Sequence, residues 1–237
     1  MTKLNEKQVL VLGGSSGIGL AAARAFALRG AAVTIGSRSE TRLAAALRDL
    51  PSGVSSFSLD LRDNGQVEYH LKGRTWDHLV ISGAETPMGG IRELSLDDAY
   101  AAMDSKFWGA YRAIRAANMA ATGSIVLVSG MLSSRPRRGV ESQCSVNAAL
   151  EALGRAAALE LAPVRVNTLS PGLIATPLWD DMSEAGREAM YARAASRLPA
   201  GRVGAADDCA QMIVEIATNG FATGSTFFLD GGALIAA

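Results

Sequence analysis

Three groups of residues have types and spacings that suit chemistry. The run "VLVLGGSSGIGLAAARAF" places Gly13, Gly17 and Gly19 after an apolar stretch and at the mouth of an Ala-rich one. Such a turn lets backbone approach a pyrophosphate, whose charge is favoured by free N–H groups and by the positive end of a helix dipole. A tight turn that binds nothing is the plainer reading, and its place in a first βαβ unit favours binding. The next apolar run ends in "VTIGSRSE", with Ser37 and Arg38 but no acid until Glu40. A carboxylate there accepts from ribose hydroxyls, whereas a guanidinium beside a hydroxyl suits a 2′-phosphate, so NADP(H) is expected over NAD(H). The third group lies in "ESQCSVNAALEALGRAAALELAP", residues 141–163, an amphipathic helix ending at Pro163. Gln143 and Asn147 are four apart and share one face. Neither amide exchanges a proton near neutral pH, yet each donates and accepts hydrogen bonds.

These residues need a frame. Compact β-branched or apolar runs at 8–12, 32–36, 78–82, 124–129, 164–170 and 226–230 are flanked by Gly, Ser, Asp or Pro and predict strands. Between them, 18–30, 40–50, 94–121, 141–163 and 207–220 have helical period. This alternation predicts an α/β fold: a single Rossmann-type, doubly wound domain over 1–237, its parallel sheet covered by helices on both faces. No linker, repeat or low-complexity segment interrupts it.

Bulk properties narrow the partners. The chain has 237 residues, 49% of them hydrophobic, which suffices for one large core but not comfortably for two. Its formal net charge is zero, so no field draws it to nucleic acid or to an anionic membrane. No apolar run reaches membrane-spanning length. Cys144 and Cys209 have neither CxxC nor metal spacing, and His70 and His78 lack ligand-like company. The expectations are a small-molecule substrate, no metal, a reducing compartment and, without a signal-peptide pattern at the start, the cytoplasm.

The sequence resembles the short-chain dehydrogenase/reductase family over essentially its whole length. The matching pieces are "GGSSGIG" (13–19), "LDL" around Asp60, "DHLVISGA" (77–84), "FWGAYRA" (107–113), "GSIVLVSG" (123–130), "VNAALEALGRAAALELAPVRVNTLSPGLIATPLW" (146–179) and "GSTFFLDGGALI" (224–235). The resemblance implies a nicotinamide dinucleotide held by Gly13, Ser15, Ser16, Gly17, Ile18, Gly19, Ser37 and Arg38, with Asp60 and Leu61 at the adenine. Pro171, Gly172, Ile174 and Thr176 would lie along the nicotinamide. The segment 178–199 would be a substrate-covering lid, and the protein a homodimer or homotetramer built through the long fourth and fifth helices.

The departures are equally informative. The family's opening Thr-Gly is Leu12-Gly13, and its Asn-Asn-Ala-Gly is Ile81-Ser82-Gly83-Ala84. Its catalytic Asn, Ser, Tyr and Lys fall on Lys106, Gly130, Gln143 and Asn147. Lysine and asparagine thus look exchanged, and an amine remains if both face one pocket. Lys106 is then the candidate acid, base or alkoxide stabiliser, with Gln143 and Asn147 as hydrogen-bonding partners. The plainer reading has Lys106 running to solvent or capping a carbonyl. Ser129, Ser133 or Ser134 are candidate replacements for the missing serine, with Ser129 the one expected to be buried. Arg135, Arg137 and Arg138 rim the pocket or simply solvate a loop. Trp179, Met182 and Tyr191 line the lid or an oligomer contact, and Cys144 is a core or interface thiol. The expected function is NADP(H)-dependent reduction of a carbonyl or oxidation of an alcohol at an atypical site. The alternatives are a nucleotide-binding regulatory protein without catalysis and a non-redox lyase or isomerase.

Overall fold

The computed structural model describes residues 4–83 and 85–236. Ala84, the last residue of the altered Asn-Asn-Ala-Gly segment, lies outside the described residues, as do 1–3 and 237. The elements in chain order are β1 (Gln8–Leu12), α1 (Gly17–Ala27), β2 (Ala32–Ser37), α2 (Glu40–Asp49), β3 (Ser55–Ser58), α3 (Asn64–Lys72) and β4 (Thr75–Ile81). Next come α4 (Leu96–Met103), a π-turn (Asp104–Trp108), α5 (Gly109–Ala116), β5 (Asn118–Val128), α6 (Glu141–Glu160) and β6 (Arg165–Pro171). The chain closes with β7 (Ile174–Ala175), α7 (Glu184–Ala195), β8 (Gly204–Ala205), α8 (Ala206–Thr218) and β9 (Thr226–Leu229).

Seven strands form one parallel sheet in the order β3-β2-β1-β4-β5-β6-β9, and β7 pairs with β8 beside it. The period of two explains why both faces need helices. Val9 and Val11 of β1 join one core with Ala22 and Phe26 of α1 and Ile213 of α8. Leu10 and Leu12 face the other core, with Leu71 of α3, Ala113 of α5 and Leu150 of α6. Strand β5 splits its residues the same way, Val126 and Val128 against Ile125 and Leu127. A strand apolar on both faces is stable only when both are covered, and burying each such side chain contributes about 1.5–3 kcal/mol.

Several elements escape a hydropathy reading, β3 and α3 among them. The edge strand β3 is "SSFS", and α3 is a short helix whose start is capped by Asp63, which accepts from the Gln66 N–H at 3.0 Å. The helix expected through residue 121 also ends early. Its chain turns at Ala117 into β5, where Asn118 and Met119 pair with Thr75 and Trp76 before Ser124 meets His78. The intervening residues 120–123 bulge against Asp77, and a Cβ on Gly123 would stand 2.8 Å from the Asp77 carbonyl oxygen. Pairing with β4 thus overrides the helical preference of this Ala-rich stretch. The helix expected over 141–163 ends at Glu160.

The sheet order reverses between β1 and β4, and in open α/β sheets ligands bind in the crevice beyond the strand ends at that switch point. The two loops touch there. Gly13 has φ +83°, and a Cβ on it would lie 2.2 Å from the Gly83 nitrogen, so only glycine fits.

Candidate active site

The turn after β1 is shaped to receive an anion. Gly17 takes φ +53°, and a Cβ on Gly19 would meet the Gly13 carbonyl oxygen at 2.2 Å, so α1 packs hard against the end of β1. Ser16 caps α1 in an extended conformation with no side-chain bond to the helix's first N–H groups, and no acid lies in that first turn. The helix's positive end is therefore left to something else, which fits a pyrophosphate. Ser15, Ser16 and Ile18 sit within this turn. The Ser15 hydroxyl donates to Ser37 Oγ at 2.9 Å, bringing the β1 and β2 loops together.

Arg38 stands beside them, half exposed, and its guanidinium pairs with Glu85 at 2.7 Å. The pair is exposed, so the guanidinium is held by one carboxylate while still facing solvent. Ser58 Oγ donates to the Arg38 carbonyl at 3.2 Å, which aligns the end of β3 with this loop. Asp60 follows, its carboxylate gripped by the Arg62 side chain with a shortest distance of 2.7 Å, and that bond holds it below the usual carboxylate range. The Leu61 carbonyl accepts from Arg112 at 3.3 Å. On the far side, Pro171 and Ile174 are buried. Gly172 abuts Asp230, where a Cβ would stand 2.7 Å from its Cα, and the Thr176 side chain faces Gly17 with 3.5 Å to a Cβ placed there. The candidate dinucleotide residues thus lie in or beside the segments that follow β1, β2, β3 and β6.

The second half of the site joins three elements. The π-turn carries Lys106 beneath the end of β5, and its extra residue per turn is a device often found at functional sites. Lys106 Nζ donates to Asn147 Oδ1 at 2.6 Å and to the Ser129 carbonyl at 2.9 Å. It does cap a carbonyl, as the plainer reading has it, and it also meets the very residue with which it looks exchanged. Burial pushes the amine's pKa down to about 8, while the Glu151 carboxylate pulls the other way. Gly130 completes the group: a Cβ there would lie 2.8 Å from Asn147 Nδ2, so the amide lies where a side chain at 130 would begin.

Gln143 does not join them. Its Nε2 donates to the Thr86 hydroxyl at 3.2 Å and to the Thr86 carbonyl at 3.3 Å, and Ser142 Oγ donates to the Pro87 carbonyl at 3.0 Å. The first turn of α6 is thereby laced to the loop after β4, whose Glu85 N–H donates to Ser105 Oγ at 2.8 Å.

Of the serines, Ser129 is buried as expected, and it and Ser133 both donate to Glu151. The site reading from sequence did not include Glu151. Its position four residues beyond Asn147 and eight beyond Gln143, on the buried face, is the signal that could have revealed it. Arg135 donates to the Ala233 carbonyl, tying the loop before α6 to the segment after β9. Trp179 Nε1 donates to the Ile174 carbonyl at 2.9 Å, while Met182 is exposed and Tyr191 half-buried. Cys209 is buried and Cys144 half-buried. Among the described residues no group of three or more His, Cys, Asp or Glu is placed to hold a metal, and no helix is long and apolar enough to cross a membrane.

Known proteins are similar to this chain over nearly its whole length. A family model described as enoyl-(acyl carrier protein) reductase matches residues 13–233. D-erythrulose reductase of Gallus gallus is 30% identical over 246 residues, covering 97% of this chain and 96% of that protein. The 3-oxoacyl-(acyl-carrier-protein) reductase of Thermotoga maritima is 29% identical, covering 98% of this chain and all of that one. Among solved structures, a small-chain dehydrogenase in complex with NADPH is 33% identical with a TM-score of 0.81, covering 98% of this chain and 100% of its own. The MalC reductase/Diels-Alderase from Malbranchea aurantiaca is 26% identical with a TM-score of 0.91, at 98% coverage of both chains. With the parallel seven-stranded sheet, the glycine turn and these full-length relatives in agreement, the chain belongs to the short-chain dehydrogenase/reductase family.

Proposed function

We propose that the protein is an NADP(H)-dependent oxidoreductase that reduces a carbonyl, or oxidises an alcohol, of a small molecule at an atypical site. In it Lys106 takes the place of the family's proton donor. The observation that carries this reading is the contact between Lys106 and Asn147 at 2.6 Å, which keeps an amine where the family keeps one although neither position has its usual residue.

Bound nicotinamide supplies the hydride for reduction and accepts it for oxidation. The chain's residues do the rest. With a pKa of about 8, Lys106 is mostly protonated at neutral pH and donates to the oxygen of a carbonyl as charge develops there; the neutral amine takes the proton back in the reverse direction. Asn147 and the Ser129 carbonyl aim the amine, and Gln143 fixes the start of α6 against the loop after β4 through Thr86. Gly130 presents no hydroxyl and leaves that place to the Asn147 amide.

Arg38, Ser37 and Ser15 form the 2′-phosphate subsite, a reading that the NADPH complex of the 33%-identical neighbour supports. The turn 13–19 holds the pyrophosphate, Asp60 and Leu61 border the adenine, and Pro171, Gly172, Ile174 and Thr176 border the nicotinamide. Within a single domain, 178–199 serves as the lid, since α7 buries none of its residues in this chain. Exposed Leu96, Tyr100, Trp108 and Tyr111 along α4, the π-turn and α5 suit a homodimer or homotetramer, and two free cysteines suit the cytoplasm.

The test follows nicotinamide absorbance over a panel of carbonyl substrates with the parent and Lys106→Met. The parent is expected to turn over, and the variant to lose about 10²–10⁴-fold in kcat while still binding NADPH. Undiminished turnover in Lys106→Met refutes the role of the lysine. NADPH binding without turnover across the panel leaves a binding protein instead.

A further inference from the structure

A carboxylate buried behind the lysine has no place in the mechanism so far. Glu151 is 7% exposed on the face of α6 that carries Asn147 one turn earlier. Removing a carboxylate from water is costly unless donors replace the water. Here three do, all on Oε1: Ser129 Oγ at 2.9 Å, Ser133 Oγ at 2.7 Å and Ser170 Oγ at 3.1 Å. They come from the residue just beyond β5, the turn that follows and β6, so separate segments converge on one oxygen. An ionised carboxylate only accepts, and three hydroxyl donors satisfy that form.

None of the ion pairs among the described residues includes Glu151. The cation beside it is reached through one residue. The Ser129 hydroxyl donates to Glu151 while its carbonyl accepts from Lys106 Nζ. Other charges on the packed elements are engaged or remote. Asp104 pairs with Arg112, Arg115 with Glu68, Asp97 and Asp98 open α4, and Glu141 opens α6. Arg155 and Glu160 lie on the exposed side of α6. Glu151 is the one whose field acts on the amine.

We propose that Glu151 is a positioning residue for Lys106: its buried charge, joined to the amine through Ser129, keeps Lys106 protonated and ready to donate at neutral pH. Its catalytic consequence rests on the reading of Lys106 as proton donor; the coupling between the two charges does not.

The test therefore reads the amine directly. Lys106 is reductively methylated with formaldehyde and cyanoborohydride across a pH series, and its labelling relative to exposed Lys72 is measured by peptide mass spectrometry. Glu151→Gln removes the charge with little change of shape. Its labelling midpoint is expected to fall by about one pH unit, raising Lys106 labelling at pH 7 about fivefold. Glu151→Asp keeps the charge and is expected to label close to the parent. A midpoint in Glu151→Gln equal to the parent's overturns the proposal. If that variant does not fold, Ser129→Ala removes the hydroxyl that joins the carboxylate to the segment holding the amine. The same fall is expected there, and an unmoved midpoint overturns the proposal equally. In the same variants the alkaline limb of carbonyl reduction is expected to move with the labelling midpoint. A labelling shift without a limb shift removes Lys106 from the chemistry and leaves the coupling standing.

Discussion

Lowering the pH from 7 to 5 is expected to cost about 2 kcal/mol of folding stability through His78 alone. His78 lies on β4, buried, stacked on Phe26 at 5.9 Å between ring centroids, with Nδ1 2.8 Å from Ser124 Oγ. Burial pushes its pKa from 6.5 to about 4; nearby Asp77 opposes this, and the positive charges of Arg165 and Lys7 add to it. The unfolded chain takes up the proton near 6.5, whereas the folded one refuses it until about 4. Between those values the unfolded state binds more protons, so stability is full above 6.5, falls as pH drops, and has lost its whole His78 share below 4. That gap of about 2.5 pH units corresponds to about 3 kcal/mol in all, most of it gone by pH 5. The lowered carboxylates do not confuse this window. Asp208, at about 2, and Asp60 and Asp77 release their contributions only below the ordinary carboxylate range. The assay is urea denaturation at both pH values for the parent and His78→Asn, which keeps a polar atom for Ser124. The variant loses some stability at each pH, but its dependence on pH should flatten. A parent equally stable at pH 5 and 7, or a variant that loses as much as the parent, refutes the reasoning.

Three substitutions probe the site. Gly130→Ser restores the family's residue at a point where a Cβ stands 2.8 Å from Asn147 Nδ2; it should displace Asn147 from Lys106, destabilise by about 1–3 kcal/mol in urea denaturation and lower kcat. Gly13→Ala forces a side chain into φ +83° and against the Gly83 nitrogen, so thermal melting should show a loss of about 3 kcal/mol, with NADPH binding abolished in calorimetry. Glu85→Gln frees Arg38 from an exposed pair at 2.7 Å, and NADPH affinity should rise about two- to fivefold while NADH affinity stays put.

What could be read from the sequence was what is written locally. The glycine turn and the β1, β2, β6 and β9 runs depend on spacing and hydropathy over a few residues, and they stand within a residue of where that reading placed them, whereas β4 and β5 begin earlier, at Thr75 and Asn118. The partners of the site residues did not emerge, because long-range packing decides them. Arg38 meets Glu85 across 47 positions, and Gln143 turns to Thr86 across 57. Lys106 could be paired with Asn147 only through the family's pattern, since 41 residues separate them. Glu151 went unseen because a glutamate on an Ala-rich helix looks solvated until the serines just beyond β5, in the turn that follows and in β6 are known to face it. The edge strand β3 went unseen because its "SSFS" carries one large apolar residue.

The most direct measurement is calorimetric titration of the protein with NADPH and, separately, NADH, repeated with Arg38→Ala. A nicotinamide dinucleotide should bind, NADPH about 10- to 100-fold more tightly than NADH, as expected for one charge-assisted phosphate contact, and Arg38→Ala should erase that difference. Binding of neither nucleotide would contradict the oxidoreductase reading, and tighter binding of NADH would contradict the role of Arg38.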